Sequence, residues 1–444
     1  MSESVKITSL LHAAAEGFEP PTTPDPATLR TRARRRRGAQ RAAGVGVAVL
    51  ALIGTVTVSI QREPARRGEL TTAPPATTQG TGATAKDLSA YRWSELPVAP
   101  IDPRDQAALV WTGREMVVWG GVTRDGHILA DGAAFDPTRS QWRPIAGSIG
   151  VPVRYGATSL WTGAELLVVG GQTALDANSR NGVAPAGRGG AYDPAADRWR
   201  PVAAGPTDAE RVLAAVWTGR EAIVVTSERS VAAYDPATDR WRSLSPIPEA
   251  AERELVSVVA VWTGGQLLAW ALWTHRDISP VTGSGKIAWG IDLFSLDLAT
   301  GQWTLRPGQG EKPIGVKVAY WTGEEVLIPA AGVFRGFSSG PAAFDRYGLR
   351  YDPGTDTYTP MRHGPLDDGP PESYWTGAAI FSLSHSIVTG PDPMDDRDTA
   401  AWDPSADRWT RLERAPAGVT YQTPLLWTGR EFLSYGIQPA RFGR

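Results

Sequence analysis

The chain contains no cysteine, which excludes disulfides, thiolate nucleophiles, cysteine-type zinc sites and iron–sulfur clusters together. Histidine is nearly as scarce, with 5 in 444 residues. His127, His275, His363 and His385 stand far apart, with no short metal-ligand spacing. Charge of one sign is also missing: the formal net charge is −2, so no overall field points to nucleic acid as a partner. Gly187, Gly189 and Gly190 fall in no strand-to-helix pattern, and no nucleotide-binding glycine motif is found. No cofactor is expected. What the chain has in excess is tryptophan, 18 residues, with 48 Gly and 36 Pro. Abundant Gly and Pro favour turns over long helices. A hydrophobic content of 42% with 21% charged residues is a globular composition. A chain this long exceeds one ordinary compact domain unless that domain is a barrel, a propeller or another repeat.

One long uncharged run stands near the N-terminus. Residues 42–60 carry no charge and would span about 28 Å as a helix, just enough to cross a bilayer core. Arg30, Arg32, Arg34, Arg35, Arg36, Arg37 and Arg41 precede the run, whereas Arg62, Arg66 and Arg67 follow it with Glu63. The larger basic excess predicts an N-terminus inside and the bulk of the chain outside the cytoplasmic membrane. A cleaved signal peptide is the alternative, against which stand a 41-residue lead and no Ala-x-Ala site directly after the run. Residues 1–41 read as a basic, mostly disordered cytoplasmic head. Leu10, Leu11 and Ala13 to Ala15 suit a short helix, and Pro20, Pro21, Pro24 and Pro26 end it. This layout resembles the heads of single-pass membrane proteins of high-GC, actinobacterial-type bacteria. Such a head either docks a partner or simply meets lipid headgroups. Residues 61–85, rich in Thr, Ala, Pro and Gly after residue 68, read as a flexible stalk.

The remainder, residues 86–444, repeats. Trp-Thr-Gly begins at Trp111, Trp161, Trp217, Trp262, Trp321, Trp375 and Trp427, at spacings of 50, 56, 45, 59, 54 and 52. A second signature is an Asp followed six residues later by an aromatic: Asp136 and Trp142, Asp193 and Trp199, Asp235 and Trp241, Asp297 and Trp303, Asp352 and Tyr358, Asp403 and Trp409. The seventh Trp-Thr-Gly has no such pair after it, but Asp87 and Trp93 stand before the first unit. A ring explains that offset, since its first and last strands share one unit, whereas an open solenoid gains nothing from it. Each unit reads as four short strands. In the first, residues 107–112 and 115–120 form a hairpin, 132–135 the third strand, and Trp142 starts the outermost. The expected fold is all-β: a seven-bladed β-propeller of four-stranded blades, closed by pairing its N- and C-terminal strands. The repeated Trp fill gaps between blades and the Asp cap turns.

The unit resembles a kelch-type repeat of the galactose-oxidase central-domain superfamily, in which a hydrophobic run precedes two glycines, an aromatic and a spaced Trp. Residues 116–121 with Phe135 and Trp142 fit it, and residues 166–171 with Tyr192 and Trp199 fit it better. Later units depart, with Thr226-Ser227, Ala271-Leu272, Ala330-Ala331 and Ser384-His385 in place of the glycines.

Function should come from what differs between blades. The connections between second and third strands vary most: residues 122–131, 172–189, 273–290, 332–348 and 385–399 are expected loops, against only 228–230 in blade three. One face is therefore uneven, with a notch beside blade three. Arg104 and Arg154 stand seven residues before their Trp-Thr-Gly, Arg211 six before and Arg253 nine before. Either these arginines gather at the channel mouth to bind a carboxylate or phosphate, or each pairs with a local acid such as Asp105, Glu210, Glu252 or Glu254. Sialidases, also propellers, use arginines in the first way, and Tyr155 beside Arg154 is the one suggestive neighbour. Galactose-oxidase copper chemistry needs a cysteine this chain lacks. Asp392, Asp395, Asp396 and Asp398 would suit calcium or a solvated acidic turn. The reading that results is a non-catalytic binding module for protein, peptide or glycan. The alternatives are a glycan hydrolase or lyase using the arginine mouth, which needs paired carboxylates there, and a sensor signalling through the cytoplasmic head.

Overall fold

A computed structural model describes residues 82–173, 187–206, 211–248, 253–278, 285–310, 315–329, 332–334, 344–346, 348–362, 364–366, 372–384, 397–419, 423–436 and 438–444. The expected head, membrane helix and nearly all of the stalk lie outside them, as do 174–186 and 385–396 of the loops of blades two and six. No helix among the described residues is long and apolar enough to cross a membrane.

Blade one shows how sequence becomes sheet. Ala108–Trp111 runs into Thr112, whose hydroxyl accepts from the Glu115 amide at 2.9 Å while its own amide donates to the Glu115 carbonyl at 3.0 Å. Gly113 takes φ 89°, which suits the first central position of a tight hairpin turn and is closed to most side chains. The chain returns as Met116–Trp119, all four residues buried, followed by Gly132–Asp136 and the outermost Gln141–Pro144, paired in the order in which they occur. The same hydroxyl turn recurs at Thr162, Thr218, Thr263, Thr322, Thr376 and Thr428. Trp-Thr-Gly is therefore a turn signature as well as a packing one.

Seven blades result. Blades two to six begin with innermost strands Thr158–Trp161, Val212–Trp217, Arg253–Trp262, Tyr320–Trp321 and Glu372–Trp375. Blade seven is composite. Leu425–Trp427, Phe432–Ser434 and Ala440–Gly443 come from the C-terminus, and the outermost strand, Arg92–Glu95, comes from the start of the described chain. Arg92 pairs with Gly443 and Glu95 with Ala440 in antiparallel register. Each of the seven seams between blades holds its own apolar cluster, and each Trp-Thr-Gly tryptophan packs half-buried on the seam with the preceding blade.

Two expectations need correction. Asp87 is no turn residue: it lies in a short helix, Ala85–Ser89, where Thr84 and Asp87 cap each other's backbone. Blade seven breaks between its third and outermost strands, so it has no connecting turn for an Asp to cap. Asp87 instead pairs with Arg444, tying the two ends of the ring. Residues 82–85 were assigned to the stalk, yet Ala83 and Ala85 are buried against blades six and seven, and the Thr376 hydroxyl donates to the Ala83 carbonyl at 2.7 Å.

Candidate functional site

The connections between second and third strands form one end of the ring, the loop face. Blade three has the shortest, Ser227 to Ser230, with Arg229 at φ 65°. Beside it, the expected loop 273–290 is largely strand. Gln266–Ile278 and Gly285–Asp297 pair along their full length, and Arg253 joins them opposite His275. Continuous pairing carries the hairpin beyond its blade as an arm. Its paired residues from Trp273 to Ile278 add about 20 Å at the rise of a strand. In blade five, Gly332–Phe334 and Phe344–Arg346 form a smaller hairpin.

The four arginines do not converge. Arg104 has no exposed side-chain surface. It donates to the carbonyls of Asp102 at 2.8 Å and Gly120 at 3.3 Å, and bidentately to Asp131 at 2.7 and 3.1 Å. That hydrogen bond holds the Asp131 carboxyl below its usual range. Arg154 is 1% exposed and repeats the arrangement, donating to the carbonyls of Pro152 at 3.1 Å, Gly170 at 2.8 Å and Arg188. These two arginines occur in the two blades that keep the double glycine. There Gly120 and Gly170 sit at φ 68° and 65°, and their carbonyls accept from the buried guanidinium. Both arginines thus hold loops in place and present nothing to a ligand. Tyr155 is likewise sealed, at 1% exposure, with its hydroxyl unpartnered, and burial raises its pKa. A phenol in that state is a poor nucleophile.

Arg211 and Arg253 do reach the surface. Arg253 pairs with Asp292 at 3.0 Å. Arg211 is exposed and makes no ion pair within 4.0 Å among the described residues. Its neighbour Val212 packs toward Gly170 of blade two, and across the seam with blade four Arg211 lies within the field of Glu254. Across the same seam Trp273, opposite Leu255 in register, packs in a cluster with Leu213 and Ile247.

The opposite end carries a repeat that the six-residue spacing conceals. Asp136, Asp193, Asp235, Asp297, Asp352 and Asp403 each accept, through Oδ1, the amide two residues on, at 2.8 to 2.9 Å. A second Asp, four residues later, links blades. Asp197, Asp239, Asp356 and Asp407 all adopt positive φ. Asp239 Oδ1 accepts from the Tyr234 hydroxyl at 2.6 Å and from the Ala203 amide of the preceding blade at 2.9 Å. Asp197, Asp356 and Asp407 do the same for Tyr192, Tyr351 and Trp402, with amides of Ala146, Gly308 and Arg362. The outer-strand indoles add a further link, Trp142 to the Pro97 carbonyl, Trp241 to Ala203, Trp303 to Ser245, Trp409 to Arg362 and Trp93 to Glu413. Trp199 is an exception. Its ring lies 4.5 Å from that of Trp119, and its N–H has no acceptor. Arg143 and Arg200 grip Glu115 and Glu165 bidentately and reach Tyr192 and Tyr234 of the next blade. The sequence did carry this signal, as Tyr-Asp-Pro-x-x-Asp, at residues 192–197, 234–239 and 351–356.

Asp398 is held by Arg414 at 2.9 Å and Arg411 at 3.5 Å, while Asp392, Asp395 and Asp396 lie outside the described residues. Among the described residues no group of three or more His, Cys, Asp and Glu could hold a metal ion. The site geometry thus leaves one uneven face, on which, of the four arginines singled out above, Arg211 and Arg253 reach the surface at blades three and four. No known protein family matches the sequence, and no curated protein is similar to it.

Proposed function

We propose that the protein is a membrane-anchored, kelch-like propeller that holds a protein, peptide or glycan on its loop face outside the cytoplasm. The observation that carries this reading is the step between neighbouring blades, where a four-residue turn, Ser227 to Ser230, lies beside the 13-residue strands of the blade-four arm. Seven blades packed through repeated turns need no such arm for stability, and a feature that no other blade matches in length among the described residues is where a partner finds specificity. The anchor reading rests on the uncharged residues 42–60 and the arginines before them. Gly82, at the start of the described chain, lies against Thr376 in the turn opposite the loop face.

The natural absence of cysteine makes the topology easy to test. Ile149→Cys creates a single thiol at a position 89% exposed. A membrane-impermeant maleimide should label it in intact cells, and labelling only after lysis refutes an external propeller. For the arm, replacing residues 274–289 with Asn-Gly closes the hairpin at Trp273 and Gly290, which pair. Crosslinks formed in intact membranes should be lost in this variant, and an unchanged crosslinking pattern refutes the loop-face reading.

A further inference from the structure

The turns that join first to second and third to fourth strands share the end opposite the loop face, because each blade pairs its strands antiparallel in order. Over blades seven, one, two and three, which adjoin one another, these turns expose basic side chains. Trp-Thr-Gly-Arg-Glu recurs at residues 111–115, 217–221 and 427–431 and sets Arg114, Arg220 and Arg430 at one position in three blades, all exposed. Arg139, Arg198 and Arg240, just before the outermost strands, are exposed as well. The nearby carboxylates are already engaged. Glu115, Glu165, Glu221 and Glu431 are each held by an arginine of their own blade. Asp193 and Asp235 cap their own turns, and Asp197 and Asp239 accept from amides of the neighbouring blade. Arg114 and Arg139 share the one buried carboxylate of Asp136, at 4.0 and 3.7 Å. Arg198, Arg220, Arg240 and Arg430 make no ion pair among the described residues. In blades four and five the same turns, residues 263–266, 297–302, 322–325 and 352–357, have no Lys or Arg and expose Asp297 and Glu324. The face is thus polarised, basic over one arc and acidic over another.

We propose that the basic arc docks on the anionic phospholipid headgroups of the membrane that residues 42–60 cross. Phosphodiester oxygens suit guanidinium donors, and each arginine near an anionic bilayer favours binding by about fivefold. The chain enters the ring on this same face, where Gly82 lies against Thr376. Residues 61–81 join the uncharged run to Gly82, and a chain of that length spans at most about 75 Å. Docking is then an intramolecular step at high effective concentration. The inference rests on the anchor reading and deepens it by naming the side of the ring that meets lipid, which leaves the loop face free.

The test places the full-length chain in vesicles of phosphatidylcholine alone or of equal phosphatidylcholine and phosphatidylglycerol. A fluorophore on Ala195→Cys, in a turn of blade two, or on Ile149→Cys, on the loop face, reports proximity to a quencher carried on lipid headgroups. The docked-to-free ratio at Ala195→Cys should be at least about tenfold higher in the mixed vesicles and should collapse in high salt, while the loop-face label responds to neither. Combining Arg114→Gln, Arg220→Gln and Arg430→Gln should lower that ratio at least about tenfold, whereas Arg124→Gln, on the loop face, should leave it unchanged. Equal quenching in the two lipids, indifference to salt, or an unmoved triple variant overturns the proposal and leaves the arc to an acidic protein. Flotation of the same samples separates this result from the anchor reading. A chain that floats with phosphatidylcholine but shows no docking keeps the anchor and loses the docked face. A chain that floats only with the mixed vesicles, and only at low salt, loses the anchor and keeps the basic face.

Discussion

Removing Asp239 tests whether the inter-blade carboxylates hold the ring together. In Asp239→Ala, the Tyr234 hydroxyl and the Ala203 amide both lose their acceptor, at 2.6 and 2.9 Å, and Arg200 loses a carboxylate at 3.4 Å. Hydrogen bonds to a charged group contribute about 1.5–3 kcal/mol each. The Asp239 side chain is 47% exposed, so water replaces part of what is lost, and about 2–4 kcal/mol is expected from the two bonds together. Asp239 also sits at φ 51°, where Ala adds about 1 kcal/mol of strain that Gly does not. The order of stability should therefore be wild type, Asn, Gly, Ala. Guanidinium unfolding followed by tryptophan fluorescence measures this series. A cycle with Tyr234→Phe should recover about 1–2 kcal/mol as coupling, since no hydroxyl is then left unpartnered. An Asp239→Ala variant within about 0.5 kcal/mol of wild type, or a Gly variant less stable than Ala, refutes the reasoning.

Arg154→Ala should behave as a core lesion. Three carbonyls, of Pro152, Gly170 and Arg188, lose their donor, so the variant should be destabilised by about 3 kcal/mol or more, and an unchanged thermal melt would contradict the structural role. Deleting residues 440–444 removes the strand that Arg92–Glu95 pairs with and should abolish the cooperative unfolding transition, which a normal calorimetric trace would disprove. Burial, followed by the bonds to Asp197, Asp239 and Asp356, raises the pKa of Tyr192, Tyr234 and Tyr351. The folded protein retains these protons where an unfolded chain releases them near pH 10. Their contribution is thus complete below about pH 10 and is lost as pH rises toward the folded values. Tyrosinate absorbance should show these three ionising only with unfolding, and their titration in the intact fold would exclude the arrangement.

Repetition made the fold legible in the sequence. Seven Trp-Thr-Gly turns and an Asp–aromatic period of fixed length specify blade number, strand order and the offset that closes the ring, because every blade must solve the same turn and seam problem. Asp87 departs from the turn role because its spacing to Trp93 matches by coincidence, and spacing alone does not distinguish a helix cap from a turn cap. The expected loop at 273–290 proves largely strand because cross-strand pairing continues through Thr274, His275 and Gly290, residues whose run of polar and small side chains gives no strand pattern in the sequence. The arginines show a different limit. Arg104 and Arg211 sit at nearly the same offset, yet the first is sealed by the Asp102 and Gly120 carbonyls and the Asp131 carboxylate, while the second is exposed and makes no ion pair among the described residues. What decides between them is whether Gly120 can adopt positive φ beside the guanidinium, and blade three has Thr226-Ser227 at that place.

The composite seventh blade also sets a timetable. Arg92 and Gly443 are register partners about 350 residues apart, and a ribosome adding roughly 5–20 residues each second needs about 20–70 seconds to cover that distance. Throughout that interval the strand Arg92–Glu95 has no sheet to join, and blade one has an open flank where blade seven will stand. The circle closes only once the last strand is released, so every truncated product keeps an unpaired edge. Completeness of synthesis is thereby written into the fold as a condition for its stability.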